Sequence, residues 1–440
     1  MAIKKYDYLI IGNSAGGIGC IEGIRREDRK GSIAVVSDEK YHTYSRPLIT
    51  HLLEGDVDRK GMDFRPRDFY RKHGTEPYLG YRAQDLDVEK RTVKLLGTNG
   101  NSGSRQTIRF DQLLVSTGGK PFIPPMDGLD LDGITPMINL DQSLAVKKRL
   151  GRVRNAVVLG AGLIGTKTAE ALSHVVERVT MVELADRILS PVTDQLSSAL
   201  ASDAFRENGV EVLLNTTVTE IRGDNRDRVA EVALSDGSII PCDLLVLAIG
   251  VRPQTDLLDG TRVNIASMKV GGGVDVNVDM ETNIEGIYAC GDCAHAHDFI
   301  TGGMRLLPLW PNAYVGGRIA GLNMAGSPHK HRWATNMNSV DFFGFPMVSA
   351  GFMLKPKGKD FKEIVREEKD SYAKVILRKD RIVGLIMAGS VARAGLYLGL
   401  MRNKVKTTTF SGHLLADDFG GVHMPDDVKE KLKQPITEIE

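Results

Sequence analysis

Two segments of the chain share the same order of hydrophobic and polar positions. Each has a short apolar run, a glycine-rich turn, a helical pattern with small residues on one face, and a second apolar run. The first segment is YDYLIIGNSAGGIGCIEGIRR followed by SIAVVSDE, and the second is NAVVLGAGLIGTKTAEALSHV followed by RVTMVELADRI. This order predicts two strand-helix-strand units in one α/β fold.

The turn of the second unit has the full spacing of a dinucleotide-binding motif. Gly160, Gly162 and Gly165 match GxGxxG, and Glu183 ends the following strand at the distance expected for a carboxylate that holds a ribose 2′-hydroxyl. Glycines here let the backbone turn tightly and approach a pyrophosphate at the positive end of the helix.

The turn of the first unit is a weaker match. It has Gly12, Ser14 and Gly17, so the middle glycine is replaced, and an ordinary strand-to-helix turn is the alternative interpretation. Because the chain contains two such units, we expect it to bind two dinucleotides, one a flavin and the other a nicotinamide.

Composition limits the classes of protein to consider. The 440 residues exceed what one hydrophobic core usually organises, which predicts two or three domains. The formal charge of +1 gives no sign of binding to nucleic acid or to an anionic membrane. The longest apolar run, IIPCDLLVLAIGV, is too short to span a bilayer. Four cysteines without zinc-site spacing fit a reducing cytoplasm, and we expect no metal site.

The segments outside the two units carry strand patterns. YRAQDLDVEKRTVKLL and QTIRFDQLLVSTGGKPFIPP predict an antiparallel extension and a proline-rich linker. Near the C-terminus, SYAKVILRKDRIVGLIMAGSVARAGLYLGLMRNK predicts two strands around the turn RKDR and then a helix, and the tail PDDVKEKLKQPITEIE predicts an exposed helix.

Five motifs in a fixed order carry a family resemblance. They are GNSAGG from Gly12, LLVSTGG from Leu113, GAGLIG from Gly160, LLVLAIGVRP from Leu244 and IYACGDCA from Ile287. With them the chain resembles the two-dinucleotide flavoprotein reductases, the pyridine nucleotide-disulfide oxidoreductase family. The resemblance implies two Rossmann-like domains and a C-terminal α+β interface domain: an FAD domain of residues 1–120 and 250–330, an NAD domain of 121–249, and an interface domain of 331–440.

The same resemblance implies which residues contact FAD and NAD. An acid in SDEK, either Asp38 or Glu39, would lie near the adenosine ribose, and Asp292 would receive the ribityl hydroxyls. The helix that begins in LLPLWPNAYVGG would point its positive end at the flavin, with the amides of Asn312 and Ala313 as donors. The other cofactor-binding residues that we expect are Gly12, Ser14, Gly16, Gly17, Arg46, Ala83, Thr117, Gly118, Gly160, Gly162, Leu163, Ile164, Gly165, Glu183, Gly250 and Gly291.

The stretch YHTYSRPLITHLLEG departs from the thiol-dependent members of this family. Where they have a redox-active cysteine this chain has Ser45, and a serine hydroxyl has neither the low pKa nor the reversible oxidation of a thiol. YSRPL resembles the thiol-free branch, which includes rubredoxin reductases and the flavin part of nitrite reductase. Arg46 would then be a cation beside the flavin, with a plain surface loop as the alternative.

Lys167 is a second departure, since relatives commonly have a glutamate at this position. We expect Arg46 and Lys167 to act as two catalytic cations that favour the anionic reduced flavin and raise its potential. The alternative is a lysine that packs its stem on the helix and extends its ammonium to solvent. Cys290 and Cys293 form a CxxC, but beside the expected flavin contact of Asp292 we interpret them as packing residues.

The resemblance therefore implies an FAD-dependent NAD(H):acceptor oxidoreductase. Hydride would move between NAD(H) and FAD, and the flavin would exchange electrons with an iron-sulfur protein or subunit, because the chain has no iron-sulfur ligands of its own. We expect an NAD-reducing subunit of a larger complex, with the C-terminal domain used for docking or for a homodimer. The alternatives are an NADH oxidase that uses oxygen and a redox-responsive flavin-binding protein with little turnover.

Overall fold

The structure is a computed structural model that describes residues 3–98 and 101–433. The first region has strands β1 (Lys4–Ile11), β2 (Ile33–Ser37), β3 (Thr75–Leu79), β4 (Tyr81–Asp87), β5 (Thr92–Gly97), β6 (Arg105–Val115) and β7 (Gly119–Pro121). Its helices are α1 (Ala15–Glu27), α2 (Ile49–Glu54) and α3 (Phe69–Lys72).

The second region follows directly. Its strands are β8 (Ile134–Pro136), β9 (Asn155–Leu159), β10 (Arg178–Val182), β11 (Val210–Leu213), β12 (Val218–Gly223), β13 (Val229–Leu234), β14 (Ile239–Pro241), β15 (Leu244–Leu247) and β16 (Val251–Pro253). Its helices are α4 (Leu140–Arg149), α5 (Leu163–Ser173) and α6 (Gln195–Glu207).

The remaining elements complete the first sheet and form a third one. The strands are β17 (Ile287–Ala289), β18 (His295–Asp298), β19 (Gly303–Leu306), β20 (Met337–Phe342), β21 (Phe345–Gly351), β22 (Phe361–Glu367), β23 (Tyr372–Arg378) and β24 (Arg381–Ala388). The helices are α7 (Trp310–Met324), α8 (Ala394–Arg402) and α9 (Asp426–Lys433). Residues 434–440 of the predicted tail helix lie outside the described residues.

The two predicted units each build a sheet with parallel strands at its centre. The first sheet has the order β3-β2-β1-β6-β5-β4, with β17 parallel to the end of β6, and β4 and β5 form the predicted antiparallel extension. The second sheet is parallel, with the order β11-β10-β9-β15-β8. Central strands such as β15 are buried along their whole length, as expected for parallel strands covered on both faces.

The two sheets are connected by a short ribbon. The chain leaves the first sheet through β7 and returns through β16, and these two strands pair with each other in antiparallel fashion. Strand β17 completes the first sheet, although its residues follow the whole second region in sequence.

The C-terminal region is an antiparallel sheet of order β20-β21-β24-β23-β22, with α8 packed on β24. The strands β23 and β24 and the helix α8 confirm the predicted strand-turn-strand-helix order. This sheet shares a hydrophobic core with the second α/β region, where the rings of Phe205 and Phe342 lie 5.2 Å apart. The α/β fold with two Rossmann-like units and a C-terminal domain is confirmed. Each helix within the described ranges is too short or too polar to cross a bilayer.

Candidate functional site

One cavity of about 1880 Å³ runs between the two α/β units. Both glycine turns, the loop after β2, the ends of β6 and β15, and the start of α7 contribute to its wall. The predicted site residues that line it are Gly12, Ser14, Gly16, Asp38, Glu39, Arg46, Ala83, Thr117, Gly118, Gly160, Gly162, Leu163, Ile164, Lys167, Glu183, Gly250, Gly291, Asp292 and Ala313.

Two of the predicted cofactor-binding glycines lie outside this lining and serve to pack the helices. A β-carbon on Gly17 would lie 1.9 Å from the carbonyl oxygen of Gly12, and one on Gly165 would lie 1.9 Å from the carbonyl oxygen of Gly160. Only glycine fits there, because each helix begins directly against the end of its strand. These two residues bring the helix close to the cavity and do not form its wall.

Both turns fit the pyrophosphate of a dinucleotide. Helix α1 follows Ser14 and helix α5 follows Gly162, and neither residue caps its helix through a side chain. Neither helix has an acidic residue in its first turn. Free amides and a positive helix end at the wall of a large cavity favour a bound anion. The free backbone amides at the two turns therefore fit the pyrophosphates of two dinucleotides bound in one cavity.

Arg46 is held by groups from both α/β units. Its Nη2 donates a hydrogen bond to Glu39 Oε1 at 2.6 Å, and its Nη1 donates to the carbonyl of Ile138 at 2.8 Å. Tyr44 donates to the other oxygen of Glu39 at 2.6 Å and accepts from the amide of Leu140 at 3.1 Å. Burial opposes the charge of Arg46, but Tyr44 and Glu39 more than offset it and raise the pKa of Arg46. The guanidinium is therefore a fixed cation at the cavity wall.

Asp292 lies on the cavity wall next to Gly291, whose φ of 78° places it in the left-handed region. Burial raises the pKa of the Asp292 carboxyl, and the charge of Arg46 acts in the opposite direction. A half-buried carboxyl with spare acceptor capacity fits the role that the family resemblance implies, an acceptor for ligand hydroxyls.

Lys167 also lines the cavity, but its environment differs from the one predicted. Its ammonium pairs with the carboxylate of Glu170 and donates to the carbonyl of Asp341 at 3.2 Å, with the ring of Phe342 5.7 Å away. Arg46 and Lys167 each have a carboxylate partner of their own, so their charges are partly compensated, and their action as two catalytic cations stays a prediction. The alternative of an ammonium extended to solvent is corrected, since the ammonium contacts Glu170 and the C-terminal domain.

Glu183 lies at the end of β10 in the second half of the cavity. Its Oε2 accepts from the amide of Ala161 at 2.7 Å and its Oε1 from the amide of Ala185 at 2.8 Å, so the carboxylate is fixed beside the glycine turn. Arg187 is turned toward Asp186 and the carbonyl of Ser190. Arg187, the cation that could bind a 2′-phosphate, is therefore engaged in other contacts.

The start of helix α7 differs in detail from the prediction. The amide of Ala313 donates to the carbonyl of Leu309 at 2.9 Å within the helix, and the side chain of Asn312 lines a second, smaller cavity. Of the two predicted donors, only Asn312 lies in the first turn of α7, where a backbone amide has no partner within the helix. Trp310 lines the cofactor cavity and packs edge-on against Phe64, and the sequence reasoning missed it.

The four cysteines are free and buried. Burial raises the pKa of the Cys290 thiol to about 12 and also raises the pKa of the Cys293 thiol. Cys290 lies behind the first glycine turn, where a β-carbon on Gly16 would be 2.7 Å from its sulfur. Both side chains fill space behind the cavity wall, in agreement with the interpretation as packing residues.

Two polar clusters were not anticipated. His295 is buried in β18 and contacts the carbonyl of Gly272 through Nε2 at 3.0 Å. Among the described residues, His51, Glu54 and Asp56 have potential ligand atoms within 4.8 Å of one another. Nδ1 of His51 lies 3.4 Å from Glu54 and 3.5 Å from Asp56, so these groups satisfy one another.

Comparison with known proteins places this geometry in a family. The profile described as pyridine nucleotide-disulphide oxidoreductase matches residues 6–317. The chain belongs to this family. Its members bind FAD and NAD(H), and the two glycine turns on one cavity fit both cofactors. A second profile, described as the C-terminal domain of rubredoxin NAD⁺ reductase, matches residues 337–405, which include all of the C-terminal sheet.

Individual relatives agree with this assignment to the pyridine nucleotide-disulphide oxidoreductases. The chain is 28% identical to the NADH-dependent phenylglyoxylate dehydrogenase subunit epsilon of Aromatoleum evansii, over 94% of this chain and 96% of that protein. It is 30% identical to an NADH oxidase of Methanocaldococcus jannaschii, over 72% and 70%. The structure of an NAD-dependent persulfide reductase from A. fulgidus superimposes with a TM-score of 0.82 at 25% identity, over 91% and 77%.

Proposed function

We propose that this oxidoreductase exchanges electrons between NAD(H) and a one-electron iron-sulfur partner, as the NAD-linked subunit of a larger complex. One observation carries the proposal: none of the described residues that line the cavity is a cysteine. With buried, protonated thiols the protein has no disulfide beside the cofactors through which electrons could leave. The electrons then have to pass to an acceptor outside the chain.

When bound, the nicotinamide and the flavin supply hydride exchange with each other, and the flavin supplies one-electron exchange with a protein acceptor. The residues of the chain bind and orient them. The amides at the starts of α1 and α5 would hold the pyrophosphates, and Glu183 would select the ribose of NAD over a 2′-phosphate. Arg46 keeps a positive charge at the wall between the two units.

The likeness to subunit epsilon supports a place in a complex, because the match covers nearly the whole length of both chains. The C-terminal match to the rubredoxin reductase domain supports a protein acceptor. We also propose the predicted domain limits of 1–120 with 250–330, 121–249 and 331–440, since the paired strands β7 and β16 mark both crossovers between the sheets. We assign the protein to the cytoplasm on the basis of its free, buried thiols.

The test is purification of the protein from its native source under mild conditions, followed by measurement of iron and FAD in the isolated assembly. We expect co-purifying iron-sulfur subunits and NADH-dependent reduction of their clusters faster than reduction of oxygen. A protein that purifies alone and consumes oxygen at its fastest rate would support the second candidate. That candidate, an NADH oxidase, is favoured by the 30% identity to the Methanocaldococcus protein.

A further inference from the structure

A second cavity of about 320 Å³ lies beside the first turn of α7, between this helix and α8 of the C-terminal domain. Its wall is largely apolar and aromatic and includes Phe299, Trp333, Leu398 and Met401. Pro311 and Met337 line both this cavity and the cofactor cavity, so the two are adjacent. A group bound here would lie directly behind the helix start that faces the cofactors.

A buried hydroxyl in this wall has no hydrogen-bond partner. Thr335 is only 9% exposed, and its Oγ1 makes no hydrogen bond, while its carbonyl accepts from Asn312 Nδ2 at 3.1 Å. An unpaired hydroxyl in an apolar environment is costly, so Thr335 offers a hydrogen-bonding position to a polar group that enters the cavity.

Two stretches of the chain that form this cavity contain no acidic residues. Residues 299–340, which contribute one wall, contain no aspartate or glutamate, and neither do residues 381–416, which contribute the other wall. The chain as a whole has almost equal numbers of acidic and basic residues, 56 and 57. Basic residues in these two stretches are Arg305, Arg318, Lys330, Arg332, Arg381, Arg393, Arg402, Lys404 and Lys406. No aspartate or glutamate is among the described residues that line this cavity.

Several of these charges are not neutralised within the described part of the chain. Lys330, Arg332 and Lys404 are exposed, and none of them forms an ion pair with a described residue. Lys404 lies 5.9 Å from the ring of Trp333, and Lys330 and Arg332 precede this tryptophan by three residues and one residue. The mouth of the apolar cavity is therefore bordered by uncompensated positive charge.

We propose that this α7–α8 face, defined by the cavity and by Lys330, Arg332 and Lys404, is the docking surface for the protein that exchanges electrons with the flavoprotein. The inference rests on the proposed function and specifies its partner. The occupant is an acidic protein surface that inserts one aromatic or aliphatic side chain into the cavity, beside a polar group that pairs with Thr335. Charge guides the encounter, and the inserted side chain anchors it.

The test compares two acceptors of very different size. NADH-dependent reduction of an acidic rubredoxin, used as the protein probe, is measured beside reduction of ferricyanide, which needs no docking surface. In the variant with Lys330→Glu, Arg332→Glu and Lys404→Glu, we expect KM for rubredoxin to rise at least about tenfold at low ionic strength, and this difference to shrink in high salt. The ferricyanide rate should stay within about twofold of wild type.

The matched control carries the same change of net charge elsewhere. Arg105, Lys148 and Arg226 are exposed residues away from this cavity, and each is replaced by glutamate in the control variant. We expect its KM for rubredoxin to change less than about threefold. An equal rise in both variants would show that only net charge matters and would overturn the docking surface.

The cavity itself is tested at Gly395, which lines it on α8. A β-carbon at this position meets no atom within 4 Å, so a larger side chain can be added without a clash at its base. Gly395→Trp fills the cavity mouth and should reduce the rubredoxin rate about tenfold, whereas Gly395→Ala should retain it. If the tryptophan variant reduces rubredoxin like wild type, nothing inserts into the cavity and the proposal fails.

Further outcomes separate this inference from the proposed function. A wild-type protein that reduces ferricyanide but no iron-sulfur protein, including its co-purified partner, would refute the proposed function and with it the docking surface. Normal rubredoxin kinetics in the triple variant would refute the docking surface alone. A change in sedimentation from dimer to monomer in the triple variant, with rubredoxin kinetics unchanged, would assign this face to a second copy of the chain and overturn the proposal.

Discussion

Arg46 and Glu39 form an ion pair at the wall of the cofactor cavity, with 2.6 Å between Nη2 and Oε1. The two residues follow β2 in the first α/β unit, and the same guanidinium reaches the carbonyl of Ile138 in the second. The cavity therefore faces an Arg46–Glu39 ion pair and not an isolated positive charge.

Glu39→Gln is expected to raise the potential of the bound flavin. The substitution removes the negative partner and leaves the charge of Arg46 uncompensated, which stabilises the anionic reduced ring. A unit charge about 6 Å away at an effective dielectric of about 20 contributes roughly 3 kcal/mol, or about 60 mV for two electrons, as an upper limit. Redox titration of the FAD-loaded protein measures the shift. Asp38→Asn, at the neighbouring half-exposed acid, is the comparison, and an equal shift in both variants would remove the special role of the pair.

Lys167→Met should affect stability more than potential. The substitution leaves Glu170 buried without its cation, although this carboxylate keeps the hydrogen bond from the amide of Phe343. We expect a loss of roughly 1–3 kcal/mol in the free energy of unfolding and a change in flavin potential below about 30 mV. Urea unfolding and redox titration on the same preparations test both numbers. A potential lowered by about 60 mV with unchanged stability would contradict this expectation and would support a direct action of the Lys167 charge on the flavin.

The protein should prefer NADH to NADPH by about a hundredfold or more in kcat/KM. The carboxylate of Glu183 is fixed by two amides at the cavity wall and would repel a 2′-phosphate, while Arg187 is engaged by Asp186. Steady-state kinetics with both nucleotides check this expectation, and Glu183→Gln should reduce the preference. Equal efficiencies in wild type would contradict the role given to Glu183.

Catalysis should not depend on thiols. A pKa of about 12 keeps the thiol of Cys290 protonated at neutral pH, and thiolate is the form that reacts. Iodoacetamide at pH 8 should therefore label the four cysteines only after the protein is unfolded. The double variant of Cys290→Ala and Cys293→Ala should keep its FAD and most of its NADH:dye activity. Loss of activity with FAD still bound would reinstate a redox disulfide.

The buried ion pair of Asp194 and Lys374 should be important for stability. It joins the start of α6 to strand β23 of the C-terminal sheet, and Tyr372 donates a further hydrogen bond to Asp194 at 2.6 Å. Lys374→Met leaves a buried carboxylate unpaired and should cost about 3–5 kcal/mol in urea unfolding. The exposed pair of Lys429 and Asp426 is the control, and Lys429→Met should cost less than about 1 kcal/mol.

The same pair gives a pH dependence with a defined sign. Burial acts to raise the pKa of Asp194, but the hydrogen bonds from Lys374, Tyr372 and Ser197 outweigh it, so the pKa of Asp194 is lowered in the folded state. A lowered carboxyl pKa contributes stability that is present above the unfolded pKa and is lost as the pH falls through the folded pKa. Lys374→Met should therefore shift acid unfolding to higher pH. An unchanged acid midpoint would contradict this assignment.

The sequence by itself determined the elements that depend on local order along the chain. Alternating and continuous apolar runs predicted the strands, and the glycine spacing predicted both turns, because a backbone that turns sharply into a helix tolerates few other residues. The strands around RKDR followed for the same reason. Five motifs in family order then predicted part of the cavity wall without any knowledge of distances, and each of the five contributes residues to it.

Tertiary structure alone decided which side chains became partners. Glu39 and Ile138 meet at Arg46 although they are far apart in sequence, and Lys167 contacts the carbonyl of Asp341 from the C-terminal domain. A pattern of residues cannot show such pairings, because a cation and a carboxylate interact through a few ångströms of space set by how the sheets pack. The carboxylate partners of the two predicted cations came to light only in the structure, and the second cavity beside α7 exists only because two distant acid-free stretches meet there.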